Sequence, residues 1–348
     1  MKILHISRTM GQGGAEKVVY QLCKDCGIDS VVASSGGQYV GDLKKNGIKH
    51  YKILDIASKN PLVFLKNLRE LRTIIEKEKI TIVHSHHRMA ALYAQLLYMG
   101  NRSLSLVYTA HNSFYDKKWI LRFALRNTAI VACGKSVKKN LVEYYRFPEK
   151  KIIVINNSIV IPKDLKPANL GGDEKKFKIG IIGRLTEQKG VDVFIRAFEE
   201  LDDKVHGYIV GDGELRGELE DLARELNVSD RITFLGYRED VLNIIKALDL
   251  VVSASRWEGF PLVPLEAFGC GKTIVASRIP GNLDIIKDGI NGVFFSKECD
   301  SELATKVKGL SSNSAFREAL ANNALIDFDR CYSYYSFIEK HRRLYINC

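Results

Sequence analysis

The chain of 348 residues, with 46% hydrophobic and 27% charged side chains, has the balance of a soluble globular protein and the length of about two domains. Its apolar runs fall short of the ~18 residues that a membrane-spanning helix needs, and Arg8 closes the first of them too early for a secretory signal. The net charge of +11 is uneven: residues 1–162 carry 26 Lys and Arg against 11 Asp and Glu, the remainder 26 against 30, so the first half is expected to meet an anionic partner.

In chain order, short β-rich runs alternate with longer helical patterns. Strands are expected over 2–7, 30–33, 81–84, 104–109, 129–132 and 152–155, with helices over 15–24, 61–77, 90–99, 119–126 and 136–145. The polar stretch from Ile161 to Asp173, with Pro162 and Pro167, reads as a linker. Strands resume over 177–182, 206–210, 232–234, 250–253, 273–276 and 292–295. The helices between and after them are expected over 191–201, 214–226, 241–248, 264–269, 301–310 and 314–322, and an amphipathic stretch over 334–345 closes the chain. Such alternation makes parallel βαβ units. The expected organisation is α/β: two Rossmann-like doubly wound parallel-sheet domains, 1–162 and 163–330, facing an interdomain cleft. Residues 331–348 would form a C-terminal helix packing back toward the first domain.

Seven cysteines are scattered along the chain, and the sole Cys-x-x-Cys, Cys23 to Cys26, has no second pair to complete a zinc site. Reduced thiols in a cytoplasmic protein are expected.

Ligands of doubly wound sheets bind beyond the carboxyl ends of the strands, so motifs directly after strands carry the chemistry. Gly11-Gln12-Gly13-Gly14-Ala15-Glu16 follows the first strand. Its glycines allow close backbone approach, and a helix N-terminus offers unpaired N–H groups. It is not a dinucleotide fingerprint, because Glu16 stands where a third glycine is required. Gly183-Arg184-Leu185-Thr186-Glu187-Gln188-Lys189-Gly190 follows the first strand of the second domain. Arg184 and Lys189 can converge on one anion, the first with a fork and the second with a mobile point charge, and a diphosphate suits both. Two solvated loop cations are the plain alternative. Glu258-Gly259-Phe260-Pro261-Leu262-Val263-Pro264-Leu265-Glu266 places two carboxylates around a loop that enters a helix. A carboxylate accepts two hydroxyl hydrogen bonds, as a vicinal diol presents them.

In this order, the Gly-Gly-x-Glu loop, His111 after a strand, Gly183-Arg184-Leu185 with Lys189-Gly190, Gly211-Asp212-Gly213, and Glu258 with Glu266 resemble the GT4 family of retaining glycosyltransferases over essentially the whole chain. The resemblance implies a GT-B fold, a nucleotide-sugar donor on the C-terminal domain, an acceptor on the N-terminal domain, and neither metal nor other cofactor. Arg184 and Lys189 would hold the donor diphosphate, Glu266 the ribose hydroxyls and Glu258 the transferred sugar. Backbone groups of Gly259, Phe260, Leu262 and the Gly13–Gly14 loop would complete the contacts, Pro261 having no N–H to give. Tyr237 and Arg238 match the place where the base is held, and His111 the histidine that approaches the donor sugar. The implied catalytic group is His111, Arg184, Lys189 and Glu258. The pattern departs at Gly281-Asn282-Leu283-Asp284, where the family has Gly-Gly and then Glu. Donor preference stays open there.

His84, His86 and His87 have the composition of a metal site, but no acidic ligand flanks them. Asp327-Phe328-Asp329 lies too near the chain end to serve the cleft. The resemblance implies retention of anomeric configuration, with UDP favoured as the donor nucleotide. The basic first half fits an anionic acceptor, expected to be a polyprenyl-diphosphate-linked oligosaccharide of cell-surface polysaccharide assembly. Lys44, Lys45, Lys117, Lys118, Arg122, Arg126, Lys138 and Lys139 are the expected exposed cations. With Trp119, Ile120, Leu121 and Phe123 they suit an anionic membrane surface at its inner face, core packing of the apolar four being the alternative. The rival functions are a nucleotide-sugar epimerase or hydrolase on the same scaffold and a basic RNA-binding protein. No RNP-like motif supports the latter, and nucleic acid is not an expected partner.

Overall fold

The computed structural model describes residues 1–171 and 175–348, so Gly172 and Asp173 of the expected linker lie outside the described residues. The chain forms two units, Met1–Asn157 with Tyr335–Cys348, and Ser158–Tyr334.

The first unit is built on strands β1 (Ile3–Ile6), β2 (Ser30–Ser34), β3 (Lys49–Lys52), β4 (Ile82–Ser85), β5 (Ser105–Ala110), β6 (Thr128–Ala132) and β7 (Ile152–Val154). They form one sheet in the order β3-β2-β1-β4-β5-β6-β7, every neighbouring pair parallel. Its helices are α1 (Gly14–Asp25), α2 (Tyr39–Lys45), α3 (Pro61–Glu78), α4 (Arg88–Gly100), α5 (Lys118–Ala124) and α6 (Lys135–Glu143). The start of α3 is set locally: Pro61 occupies a first-turn position that needs no N–H, and the Asn60 side chain accepts from Leu62 N at 2.9 Å.

The short α2 and the edge strand β3 depart from the sequence expectation. Lys49-His50-Tyr51-Lys52 lacks the Val/Ile signature of a buried strand, and it is recognised as a strand only by its pairing with β2. Its lysines keep that edge charged, which discourages pairing with another chain.

The second unit has strands β8 (Phe177–Ile182), β9 (Val205–Val210), β10 (Ile232–Gly236), β11 (Leu250–Ser253), β12 (Ile274–Ser277) and β13 (Val293–Phe295). Their order is β10-β9-β8-β11-β12-β13, again all parallel. Helices α7 (Val191–Arg196), α8 (Arg216–Glu225), α9 (Val241–Ala247), α10 (Leu262–Gly269), α11 (Pro280–Leu283), α12 (Asp300–Ser312) and α13 (Ser314–Cys331) complete it. Helix α10 begins before the expected Pro264, because a proline in the first turn removes an N–H that has no partner there. The closing helix α14 (Tyr334–Ile346) buries Phe337, His341 and Tyr345, spaced one turn apart, and Ser105 of β5 donates to the Cys348 carbonyl at 3.1 Å.

Both sheets reverse their winding direction once, at β1/β4 in the first and β8/β11 in the second. Connections leave the two central strands in opposite directions there, which opens a crevice at their carboxyl ends.

Candidate active site

At the second unit's reversal, the loops after β8 and β9 lie side by side. Gly183 N donates to the Val210 carbonyl at 2.9 Å and Leu185 N to the Asp212 carbonyl at 3.0 Å. Gly211 is required for this approach. Its φ is +139°, and a Cβ there would lie 1.9 Å from the Gly183 carbonyl oxygen.

Beyond Gly183 a short 3-10 turn, Glu187–Lys189, directs the Lys189 side chain back along the glycine, and its Nζ meets Glu258 Oε1 at 2.5 Å. Glu258 also accepts from Ser255 Oγ at 3.0 Å and Gln188 Nε2 at 3.3 Å, and Gln188 donates to the Trp257 carbonyl at 2.9 Å. The predicted cation and the predicted acid are therefore brought together from the two central loops. Arg184, on the first of these, is exposed, and its side chain has no charged or hydrogen-bonded partner among the described residues.

The second loop is clamped from outside. Arg256 bonds both oxygens of Asp192, at 3.0 and 2.7 Å, and Glu298 at 2.8 Å. Burial raises the Asp192 carboxyl, but Arg256 outweighs it and leaves that group below the usual carboxylate range. Gln188, Ser255 and Arg256 escaped sequence reasoning, although Ser255 stands three residues before a predicted acid.

The remaining donor-side residues surround these loops. Gly259, Phe260, Pro261 and Leu262 are buried, so the side chains of Phe260 and Leu262 serve packing, and only their backbone can serve a ligand. Glu266 is buried in the second turn of α10. Tyr237 is exposed after β10, and Arg238 makes a two-pronged pair with Asp240 at 2.7 and 2.6 Å. Gly281 of α11 packs against the Glu258 backbone, where a Cβ would lie 2.5 Å from its carbonyl oxygen. Asn282 is fully buried, and its Nδ2 donates to the Ser277 carbonyl at 2.8 Å. Asp284 is half-buried beyond it.

The first unit fills its reversal with imidazoles. Parallel pairing sets His5 of β1 opposite His84 of β4, and the two-residue period of a strand keeps His86 on the face of His84. His86 then lies between His5 and His111: His5 Nδ1 is 3.0 Å from His86 Nε2, and His86 Nδ1 is 3.0 Å from His111 Nε2. His84 is held separately, Nδ1 by the Tyr345 hydroxyl at 2.7 Å and Nε2 by Thr109 at 2.8 Å. Burial pushes His5 and His111 down to about 3 and His341 to about 4, with His84 and His86 well below their ordinary value, so all five are neutral at pH 7.

His87 does not join the group, since its ring accepts from Met89 N and caps α4. His5, His84 and His86 have ring nitrogens within 4.8 Å of one another, a spacing that could hold a metal ion. An ion there would take one nitrogen from each ring, and so would have to displace one bond of His84 and one of His86, whose nitrogens are all occupied. Gly13 caps α1, Gly14 opens it, and Glu16 behind them accepts from Thr9 Oγ1 at 2.7 Å.

Other expectations resolve structurally. Asp327 bonds Lys287 at 2.9 and 3.0 Å and Asn291 at 2.8 Å, so it serves as a tie within the second unit. The Cys23 and Cys26 thiols are buried and free, and burial pushes Cys26 up to about 12. Arg122 is not a free surface cation: it donates to the carbonyls of Tyr145 and Arg146 at 2.9 and 3.0 Å. No described helix is long and apolar enough to cross a membrane.

Comparison with known proteins identifies the scaffold. The sequence model of the family described as Glycosyltransferase Family 4 matches residues 12–161, and that described as Glycosyl transferases group 1 matches residues 162–326. The UDP-Gal:alpha-D-GlcNAc-diphosphoundecaprenol alpha-1,3-galactosyltransferase of Escherichia coli is 31% identical over 255 residues, which are 66% of this chain and 65% of that protein, under two thirds of its length. The GalNAc-alpha-(1->4)-GalNAc-alpha-(1->3)-diNAcBac-PP-undecaprenol alpha-1,4-N-acetyl-D-galactosaminyltransferase of Campylobacter jejuni is 26% identical over 341 residues, covering 93% of this chain and 92% of its own. The structure of Anabaena Alr3699/HepE in complex with UDP-glucose matches with a TM-score of 0.87 over 100% of both chains at 20% identity, a likeness of fold. With its two parallel-sheet Rossmann-like units, the chain has the GT-B fold and belongs to the GT4 family of glycosyltransferases.

Proposed function

We propose that the protein transfers a hexose or N-acetylhexosamine from a nucleoside-diphosphate sugar, with UDP as the nucleotide, to a polyprenyl-diphosphate-linked glycan, retaining the anomeric configuration and using no metal. The observation that carries this reading is the contact of Lys189 with Glu258 at the β8/β11 reversal, on the same loop as Arg184, whose side chain has no partner among the described residues. A cation poised on a carboxylate can transfer its charge to an arriving diphosphate, and the released carboxylate can then accept hydroxyls of the transferred sugar. The Escherichia coli and Campylobacter relatives, whose names give undecaprenol-diphosphate-linked sugars as acceptors, support the acceptor class. UDP-glucose in the HepE structure supports the nucleotide.

In this mechanism the bond from the anomeric carbon to the diphosphate oxygen breaks, and Arg184 and Lys189 stabilise the charge that builds on the leaving group. The acceptor oxygen attacks the face the diphosphate leaves, and its proton passes to the departing phosphate oxygen. Glu258 stabilises the positive anomeric centre and, with the backbone at Gly259, Phe260 and Leu262, orients the sugar. Glu266 binds the ribose hydroxyls, Tyr237 and Arg238 flank the base, and His111 and the Gly13–Gly14 loop are the first unit's substrate contacts.

The acceptor's lipid directs attention to α5. Leu121 and Ala124 face the core, but Trp119 and the preceding Tyr115 are 79% and 70% exposed, and Ile120 and Phe123 are exposed too. These apolar side chains, flanked by Lys117 and Arg126, have the composition of an interfacial anchor. Flotation with vesicles containing anionic lipid should carry the protein upward, and Trp119→Glu should abolish this. Equal flotation of both variants would remove α5 from the reading.

The function itself is tested by incubating the protein with a panel of nucleotide sugars, with and without a synthetic polyprenyl-diphosphate sugar. Sugar transfer that depends on the acceptor is expected. Equal nucleotide release without acceptor would favour a hydrolase instead.

A further inference from the structure

The histidine row has a direction. A neutral imidazole carries one N–H and one bare nitrogen, so three rings joined by two N···N hydrogen bonds can be protonated in only two consistent ways. In the first, His5 donates from Nδ1 to His86, and His86 donates from Nδ1 to His111 Nε2. His111 then carries its proton on Nδ1, and the only unfilled position at the inner end is the bare Nε2 of His5. In the second, every proton is reversed: His111 donates from Nε2, and His5 is left with an N–H on Nε2.

His5 Nε2 is buried and has no hydrogen-bond partner among the described residues. An orphaned buried N–H is rarer in folded proteins than an underused acceptor, which selects the first arrangement. At the outer end, His111 is half-buried, and its Nδ1 has no hydrogen-bond partner among the described residues. We propose that His86, itself held by His5, is a positioning residue that fixes His111 as the Nδ1–H tautomer, so that His111 meets its substrate as a hydrogen-bond donor and not as a base.

The rings on either side keep the row in place. The His84 ring lies 4.0 Å from that of His86 with both its nitrogens occupied, so it packs against the row without joining it. The His86 and His111 rings are stacked at 5.3 Å. Burial keeps the whole row uncharged at pH 7, which is the condition for a single direction of donation.

The catalytic consequence rests on the role proposed above for His111; the tautomer does not. The test is ring 15N–1H correlation spectroscopy on histidine-labelled, full-length protein without ligand, followed by transfer kinetics. His111 should show a protonated Nδ1 and a bare Nε2. His86→Leu should remove that preference and lower kcat by about tenfold, the scale of one lost hydrogen bond, with KM little changed. His86→Asn, whose amide can donate from a similar place, should restore the tautomer and most of the rate.

A proton on His111 Nε2 in the unsubstituted protein overturns the proposal even if every variant fails to fold. An unchanged tautomer in His86→Leu overturns it as well. Normal transfer by His111→Ala, with the tautomers as expected, would instead sink the catalytic reading of His111 and leave its positioning by His86 intact.

Discussion

The two units share a topology and differ in what occupies its centre. At the β1/β4 reversal the first unit holds neutral, hydrogen-bonded imidazoles, and seven of the chain's eight histidines belong to that unit. At the β8/β11 reversal the second unit holds formal charges, Lys189 on Glu258, clamped by Arg256, Asp192 and Glu298. The reversal supplies a crevice in both cases, and the side chains decide its chemistry. A site built from neutral rings can donate or accept a hydrogen bond without attracting an anion. A site built from a cation–carboxylate pair is prepared to exchange one partner for a diphosphate.

Acid should separate the units most strongly. Unfolded histidines take up protons near pH 6.5, whereas folded His5 and His111 resist until about pH 3 and His341 until about pH 4. Between those limits the unfolded state binds more protons, so stability is fully present above pH 6.5 and is lost as pH falls. The loss approaches about 1.4 kcal/mol per histidine per pH unit. Hydrogen exchange followed from pH 7 to pH 4.5 should show β1, β4, β5 and α14 losing protection before β8, β9 and β11. Simultaneous loss in both sheets would contradict the comparison.

The next effect belongs to the charged site. Lys189→Ala and Arg184→Ala should each lower turnover about a hundredfold, the scale of one charge-stabilising donor. Their stabilities should differ. Loss of Lys189 leaves Glu258, whose side chain is 11% exposed, without its cation and should lower Tm, whereas Arg184 has no described partner to abandon. Thermal melts alongside transfer assays would separate the two, and equal melting points would argue against the pair as a structural element. Ser255→Ala should act least, lowering kcat about fivefold by removing one hydrogen bond from Glu258. A loss as large as that of Lys189→Ala would mean that Ser255 meets substrate itself.

Much of this was legible in the sequence. The Val/Ile runs of β1, β4, β5, β8 and β11 mark buried parallel strands, and the loops after β8 and β11 announce their residues through Arg184, Lys189, Glu258 and Glu266. Strand β3 escaped because Lys49 and Lys52 flank a polar pair that only an edge position tolerates. That Lys189 and Glu258 hold each other also escaped, because motif spacing carries no side-chain direction. Proximity in the sequence groups His84, His86 and His87. Strand periodicity turns His87 away to cap α4, while pairing between β1 and β4 brings in His5 from far along the chain. Register between distant strands is the information that local pattern lacks.

Hydrogen exchange of the whole protein with and without a UDP-sugar reports whether the donor is gripped at the β8/β11 reversal. Added nucleotide sugar should slow exchange in residues 183–190 and 254–266, and Lys189→Ala should erase that protection at the same ligand concentration. Protection confined to other segments, or unchanged by Lys189→Ala, would contradict that grip.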